Sequence, residues 1–322
     1  MTISTKENTM QGMALSRELY SSTLPLLQRR LPELCAHAAF GLVGEGSECF
    51  GFDDEISRDH DWGPAFCIWF PEAELDAWTR RLEPILVDIP PVFEGFPTRM
   101  APSQRMGRVG PLSIEGFYAR FLGLSQPPQT WRQWRALPES FLAVCTNGAV
   151  FADEPGTFSA FREALLAYYP EDVRLKKLAA RCMGMAQAGQ YNLLRSLHRG
   201  ETAASMLAAA RFAEQALSLV FLLNHRYMPF YKWAHRAVGA LPILGTATRD
   251  RLTELAGLDW KQGAHLEDCA GEVVERLCHA VAEQLRTSGL SDATDDWLLA
   301  HGPSVQSRIK TPEIRAIPVL LD

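Results

Sequence analysis

Several sequence features that assign proteins to a class are missing from this chain. The seven cysteines are scattered without a CxxC pair, which excludes a zinc ribbon and argues against a disulfide framework. No uninterrupted apolar run approaches the roughly 18 residues of a membrane span, and the polar start MTISTKENTMQGM lacks the apolar region of a signal peptide. We therefore expect a reduced, cytoplasmic protein with no membrane-spanning segment.

An excess of positive charge is also missing. The 322 residues include 32 Lys and Arg against 38 Asp and Glu, which gives a formal net charge of -6. This balance argues against a protein that coats nucleic acid through a basic face. The chain is 47% hydrophobic and 22% charged, as globular proteins are, and its length predicts about two domains.

The distribution of strand and helix patterns predicts where these domains meet. Apolar segments typical of strands occur in the first half, at 38–44, in DWGPAFCIWF and in PLSIEGFYARFLG. After about residue 156 long amphipathic helices replace them, and one predicted helix, 171–198, is closed by Gly200. The sequence therefore predicts an α+β fold, with an α/β domain over 1–156 and an all-α helical bundle over 157–322.

An acidic cluster precedes the second predicted strand. Five carboxylates fall within nine positions: Asp53, Asp54, Glu55, Asp59 and Asp61. The first three lie in turn-like sequence beside a glycine and are predicted to form a solvated turn. Asp59 and Asp61 are spaced by two at the predicted end of a buried strand, so both would point to one side. Because adjacent carboxylates repel each other unless a cation lies between them, this pair predicts a divalent metal site.

Two neighbouring features bear on this metal site. His60 raises the alternative of a zinc or iron site, but strand alternation would turn it away from the pair, towards packing or a backbone hydrogen bond. The turn Gly44-Glu45-Gly46-Ser47 lies between the same two strands. Its glycines allow backbone N–H groups to approach an anion, and Ser47 adds a hydroxyl donor. We therefore predict a phosphate-binding turn close to the acidic pair.

These residues carry a family resemblance. Gly46-Ser47, eleven intervening residues and Asp59-His60-Asp61 resemble the signature of the nucleotidyltransferase superfamily related to DNA polymerase β. The flank GFDDEISRDHD is similar to a block in aminoglycoside nucleotidyltransferases, but has one more residue after Ser57 and a histidine between the acids. The stretch LLNHRYMPFYKWAHRAVGALPIL resembles a helical segment of bacterial domains of unknown function that are attached to such transferases.

The resemblance implies a minimal transferase core with a mixed sheet, followed by a helical domain that holds the acceptor. It implies two Mg²⁺ ions bound by Asp59 and Asp61, and ATP or another nucleoside triphosphate bound by Gly46 and Ser47. The acceptor would be a hydroxyl of a small molecule. The alternatives are a protein side chain or an RNA end as acceptor, or a degenerate module that only binds nucleotide.

The family usually has a third carboxylate on a later strand. Glu115, which the pattern places in the middle of a strand, is the first candidate, and Asp88 is the second. A glutamate in so apolar a segment needs a metal or another partner.

Polar residues in the predicted helices supply further candidates. Lys232, within NHRYMPFYKW, is predicted to bind the triphosphate, with Arg195 and Arg199 as alternates. The alternative for all three is a solvated surface. Glu214 is a candidate general base, with an intrahelical ion pair to Arg211 as the alternative.

Overall fold

A computed structural model describes residues 11–59, 62–260 and 263–322. The chain forms two compact units. The first comprises the described residues up to Pro128 together with Phe141–Ala167, and the second comprises Gln129–Ser140 and the described residues from Tyr168 to Asp322. The predicted boundary at residue 156 differs from this division in two places, because residues 157–167 belong to the first unit and residues 129–140 to the second.

The first unit combines helices with a mixed sheet. Its strands, among the described residues, are β1 (Ala39–Leu42), β2 (Cys67–Phe70), β3 (Val92–Phe93), β4 (Phe96–Pro97), β5 (Gly110–Ser113) and β6 (Ala149–Asp153). The helices up to the end of this unit are α1 (Gly12–Arg30), α2 (Ser47–Phe50), α3 (Glu72–Leu86), α4 (Pro102–Arg105), α5 (Ile114–Leu122), α6 (Trp131–Ala136), α7 (Glu139–Thr146) and α8 (Thr157–Leu166). Of these, α6 belongs to the second unit, and α7 begins there.

Four of these strands form one sheet in the order β5-β2-β1-β6. β1 is antiparallel to both β2 and β6, whereas β2 and β5 are parallel. Every residue of β1 and β2 is buried, which explains why both strands are continuously apolar. Helix α8 covers the sheet, and Phe158 stacks on Trp69 of β2 with 3.9 Å between ring centroids. The mixed α and β character predicted from the sequence is confirmed.

Two predicted strands are shorter in the structure than in the sequence pattern. β2 begins at Cys67, and Asp59 ends a 3₁₀ turn, Ile56–Asp59, in place of a strand. β5 ends at Ser113, whose Oγ accepts a hydrogen bond from the N–H of Gly116 at 2.8 Å. Ser113 thereby caps α5, which begins at the next residue. The prediction that Glu115 lies in the middle of a strand is therefore wrong.

The second unit is helical, and its described residues include no strand. After α6 its helices are α9 (Glu171–Met185), α10 (Leu194–His198), α11 (Thr202–Leu223), α12 (Tyr231–Val238), α13 (Gly245–Ala256), α14 (Gly263–Thr287), α15 (Leu298–Ser307) and α16 (Pro312–Arg315). A π-helical segment, Ala186–Leu193, joins α9 to α10. The predicted helix 171–198 is thus confirmed, and Gly200 follows it with a φ of 71°.

Helix α11 is long and apolar enough to cross a membrane by length and composition alone. The helix has 22 residues, and 56% of its most apolar 18-residue window is buried inside the protein. It packs against α9 and α13 of the same unit. Burial in a helical core therefore accounts for its composition.

Candidate functional site

The turn that follows β1 forms the wall of a small cavity in the first unit. Gly44, Glu45 and Gly46 lie along one side of it, and its volume is about 40 Å³. The charged lining residues are Glu45, Glu48, Arg99, Arg108 and Arg120. A single water needs about 10–15 Å³ of such volume, so the cavity has room for an ion or one phosphate group, not a whole nucleotide. Three arginines against two glutamates favour an anion.

The turn is held in place by a side chain from the loop before β6. Asn147 Nδ2 donates to the carbonyl oxygen of Gly44 at 2.7 Å, and its Oδ1 accepts from the N–H of Gly44 at 3.1 Å. Gly46 stands immediately before α2, and a Cβ there would come within 2.3 Å of Glu48 Oε2. A side chain at position 46 would therefore have to displace the Glu48 carboxylate, which lies beside the turn where the sequence predicts a phosphate.

Glu48 and Arg99 form a buried ion pair at this cavity. Arg99 Nη2 lies 3.3 Å from Glu48 Oε1, and the two side chains are 11% and 5% exposed. Burial raises the pKa of the Glu48 carboxyl above its ordinary value, and Arg99 opposes that rise only in part. At the rim, Arg120 Nη2 lies 2.6 Å from Glu45 Oε2 in a much more exposed pair.

Asp53, the first residue of the acidic cluster, lies close to this cavity and bonds to residues on either side of the cluster. Its Oδ2 accepts hydrogen bonds from the N–H of Gly12 at 2.7 Å and from the indole Nε1 of Trp62 at 3.1 Å. Its Oδ1 is buried and has no hydrogen-bond partner among the described residues. Asp53 is near enough to Glu48 to raise the pKa of that carboxyl further. The prediction of a solvated turn is therefore wrong for Asp53, although Asp54 and Glu55 are exposed as predicted.

Of the predicted metal-binding pair, Asp59 and Asp61, the structure describes only Asp59. Asp59 is exposed at the end of its 3₁₀ turn, so the strand alternation that placed it beside Asp61 does not apply. Asp61 and His60 lie outside the described residues. The guanidinium of Arg58 lies 4.8 Å from the ring of Trp62, the residue after Asp61. The described part of the chain includes no group of three His, Cys, Asp or Glu residues that could hold a metal.

Both candidates for the third carboxylate have structural partners. Glu115 Oε2 accepts a hydrogen bond from the backbone N–H of Glu72 at 2.9 Å, at the first residue of α3. It therefore satisfies one of the amide groups that a helix leaves unpaired at its N-terminus. Asp88 is exposed, with Arg30 4.0 Å away.

The candidates on the helices lie at the surface of the second unit. Lys232 is exposed, with its Nζ 5.4 Å from the ring of Trp233. Arg195 and Arg199 are exposed, and Arg195 donates to the hydroxyl of Tyr191 at 2.9 Å. These positions agree with the solvated alternative and do not test nucleotide binding.

Glu214 makes the intrahelical ion pair that was its alternative. Its Oε2 lies 3.1 Å from Arg211 Nη1, three residues earlier on α11. Both side chains are more than half exposed.

Comparison with known proteins covers one part of the chain. Residues 134–234, which are 101 of the 322, match a family described as a domain of unknown function, DUF4037. The match takes in the first residues of LLNHRYMPFYKWAHRAVGALPIL, the stretch that resembles such a domain. No curated protein and no solved structure matches the chain.

Proposed function

We propose that the first unit is a metal-dependent nucleotidyltransferase that uses a nucleoside triphosphate, with ATP as the first donor to test. The observation that carries this proposal is the cavity at the end of β1, where three arginines surround the turn Gly44–Gly46. Gly46 of this turn is also the first residue of the transferase-like signature, which ends with Asp59 and Asp61. A basic cavity that binds phosphates and an acidic pair that binds metal ions are together what a site needs to hold a phosphate chain.

The carboxylates of the acidic cluster fit Mg²⁺, which binds carboxylates and water. Asp59 and Asp61 are the proposed ligands. Asp53 replaces Glu115 as the third carboxylate, because its Oδ1 is buried without a partner in the described part of the chain. Trp62, which directly follows Asp61 in the sequence, donates a hydrogen bond to Asp53.

Each group of the chain has a distinct role in this proposal. Arg99, Arg108 and Arg120 would bind the terminal phosphate, which leaves as one end of the pyrophosphate when an acceptor oxygen attacks the α-phosphorus. The metal ions, when bound, would neutralise the developing charge on the phosphate oxygens. Glu48 lies next to Gly46, so its negative charge would repel a bound phosphate unless the carboxylate turns away or takes up a proton.

Transfer of label from ATP labelled at the α-phosphate tests the proposal. Wild-type protein, Asp61→Asn and Asp59→Asn are incubated with Mg²⁺ and fractionated metabolites, and the products are separated by mass. We expect transfer by the wild type and none by either variant. Glu55→Gln is the matched control, because it removes an exposed carboxylate of the same acidic cluster and should keep full activity.

A second candidate function is a module that binds nucleotide without transferring it. The pairing of Glu115 with the start of α3 favours this candidate, since it removes the carboxylate that the resemblance implies. Saturable binding of MgATP with no labelled product in any fraction would support the module. If neither binding nor transfer is detected, both candidates are wrong.

A further inference from the structure

A large open cavity lies within the second unit and takes no part in the proposed transfer. Its volume is about 860 Å³, and all of its lining residues belong to this unit. Its apolar wall is formed by Leu137, Leu207, Leu217, Met228, Phe230 and Ala234. Ligand sites for small molecules usually measure about 300–1,000 Å³ and combine apolar walls with a few placed polar groups.

The polar part of the lining is a charged network. Glu139 Oε1 accepts hydrogen bonds from Ser218 Oγ at 2.7 Å and from Arg181 Nη2 at 3.2 Å. Asp322 is held by Arg181 at 2.7 Å and by Lys177 at 3.1 Å. Burial alone would raise the pKa of Asp322, but the two cations hold it below its ordinary value. Two carboxylates and two cations therefore balance each other.

Two buried polar atoms of the lining residues have no hydrogen-bond partner in the part of the chain that the structure describes. Glu139 is 8% exposed, and its Oε2 is buried with no hydrogen-bond partner among the described residues. Arg135 Nε is also buried without a hydrogen-bond partner among the described residues, although Arg135 as a whole is half-buried. Buried polar atoms are nearly always paired, so an unpaired acceptor of Glu139 and an unpaired N–H of Arg135 in the lining of one cavity indicate a missing partner.

We propose that this cavity binds a small organic molecule with an apolar body, an anionic group and an N–H or O–H donor. The anionic group pairs with Arg135, the donor binds Glu139 Oε2, and the body lies against the apolar wall. Arg135 and Glu139 stand at the adjoining ends of α6 and α7, so one small molecule can reach both. The proposal does not depend on nucleotide transfer by the first unit.

The fluorescent probe 8-anilinonaphthalene-1-sulfonate carries all three features and reports on binding directly. Leu207→Asp places a charge on the apolar wall at a side chain that is 73% exposed, so the fold should survive. Met206→Asp is the matched control, because Met206 is 53% exposed on the same helix but does not line the cavity. We expect one saturable site, a loss of affinity of at least tenfold in Leu207→Asp and no change in Met206→Asp.

The anionic group is tested with a second probe and a second variant. N-phenyl-1-naphthylamine lacks the sulfonate and should bind at least fivefold more weakly than the sulfonated probe. Arg135→Gln should abolish that difference. Near-ultraviolet circular dichroism of each variant excludes a loosened fold, which would bind the probe by itself. Equal affinities of the wild type, Leu207→Asp and Arg135→Gln for the sulfonated probe would overturn the proposal.

Discussion

Replacing Arg99 by methionine tests whether the candidate site is held by its buried ion pair. The variant leaves the Glu48 carboxylate 5% exposed and without its cation. Removing one partner of a buried pair costs about 3–5 kcal/mol, because the other charge stays buried. We expect Arg99→Met to lower the free energy of unfolding by about 3 kcal/mol at pH 8.

The cost of Arg99→Met should depend on pH. The pKa of Glu48 is already raised by burial, and it rises further once Arg99 is gone. A carboxyl whose pKa is higher in the folded state keeps its proton there at pH values where the unfolded chain has lost it. Stability therefore falls as the pH rises from the ordinary Glu value to the folded value. The variant should lose less stability at pH 5 than at pH 8.

Hydrogen exchange of the β1 and β2 amides at both pH values measures the opening free energy of the first unit. Arg120→Met is the matched control, because its pair with Glu45 is 41% and 32% exposed and should contribute less than about 1 kcal/mol. The double variant Arg99→Met/Glu48→Gln should recover most of the loss. The reasoning is refuted if Arg99→Met costs no more than Arg120→Met at either pH.

The remaining predictions concern backbone, core and cavity. Gly148→Ala should cost at least about 3 kcal/mol in thermal unfolding, since its Cβ would meet a carbonyl oxygen of β1 at 2.0 Å, whereas Gly123→Ala, with open space, should cost about 1 kcal/mol. Lys176→Met should cost about 2–4 kcal/mol in urea unfolding, because the fully buried ammonium donates to three acceptors. Glu48→Gln should tighten pyrophosphate binding at least about threefold by calorimetry, because it removes a negative charge from the cavity. The first prediction is contradicted if Gly148→Ala and Gly123→Ala lose equal stability. The other two are contradicted if Lys176→Met unfolds, or Glu48→Gln binds pyrophosphate, as the wild type does.

Several elements could be predicted because their signals are local. β1 is a short apolar run that ends in glycines, and the structure places it at Ala39–Leu42. Helix α3 follows Pro71 and has Glu72 and Glu74 in its first turn, which are local signals for the start of a helix. The helix over 171–198 ends at Gly200, which takes the left-handed conformation that glycine favours.

The helix that contains Glu115 also has a local signal in the sequence. The buried residues Ile114, Phe117, Tyr118 and Phe121 recur at intervals of three, one and three, which is the spacing of a helix face. Their aromatic character favours a strand, whereas the N-cap at Ser113 and the helical spacing favour a helix, which is the element that forms.

The polar networks could not be predicted from one sequence. Glu48 and Arg99 are 51 positions apart, and Lys177 and Asp322 are 145 positions apart. Such contacts arise from tertiary packing and leave no regular spacing. For the same reason, the sequence does not show that Glu48 lies beside Gly46, or that Arg135 Nε has no hydrogen-bond partner among the described residues.

The most direct test of the central proposal is a crystal structure with Mn²⁺ and an ATP analogue whose α,β-bridging oxygen is replaced by methylene. Anomalous scattering locates the Mn²⁺ ions independently of the protein density. The account predicts Mn²⁺ bound by the carboxylates of Asp59 and Asp61, with the terminal phosphate in the cavity beside Gly44–Gly46 and Arg120. Metal and phosphates bound together at any other place on the protein, or no binding at saturating concentrations, would contradict it.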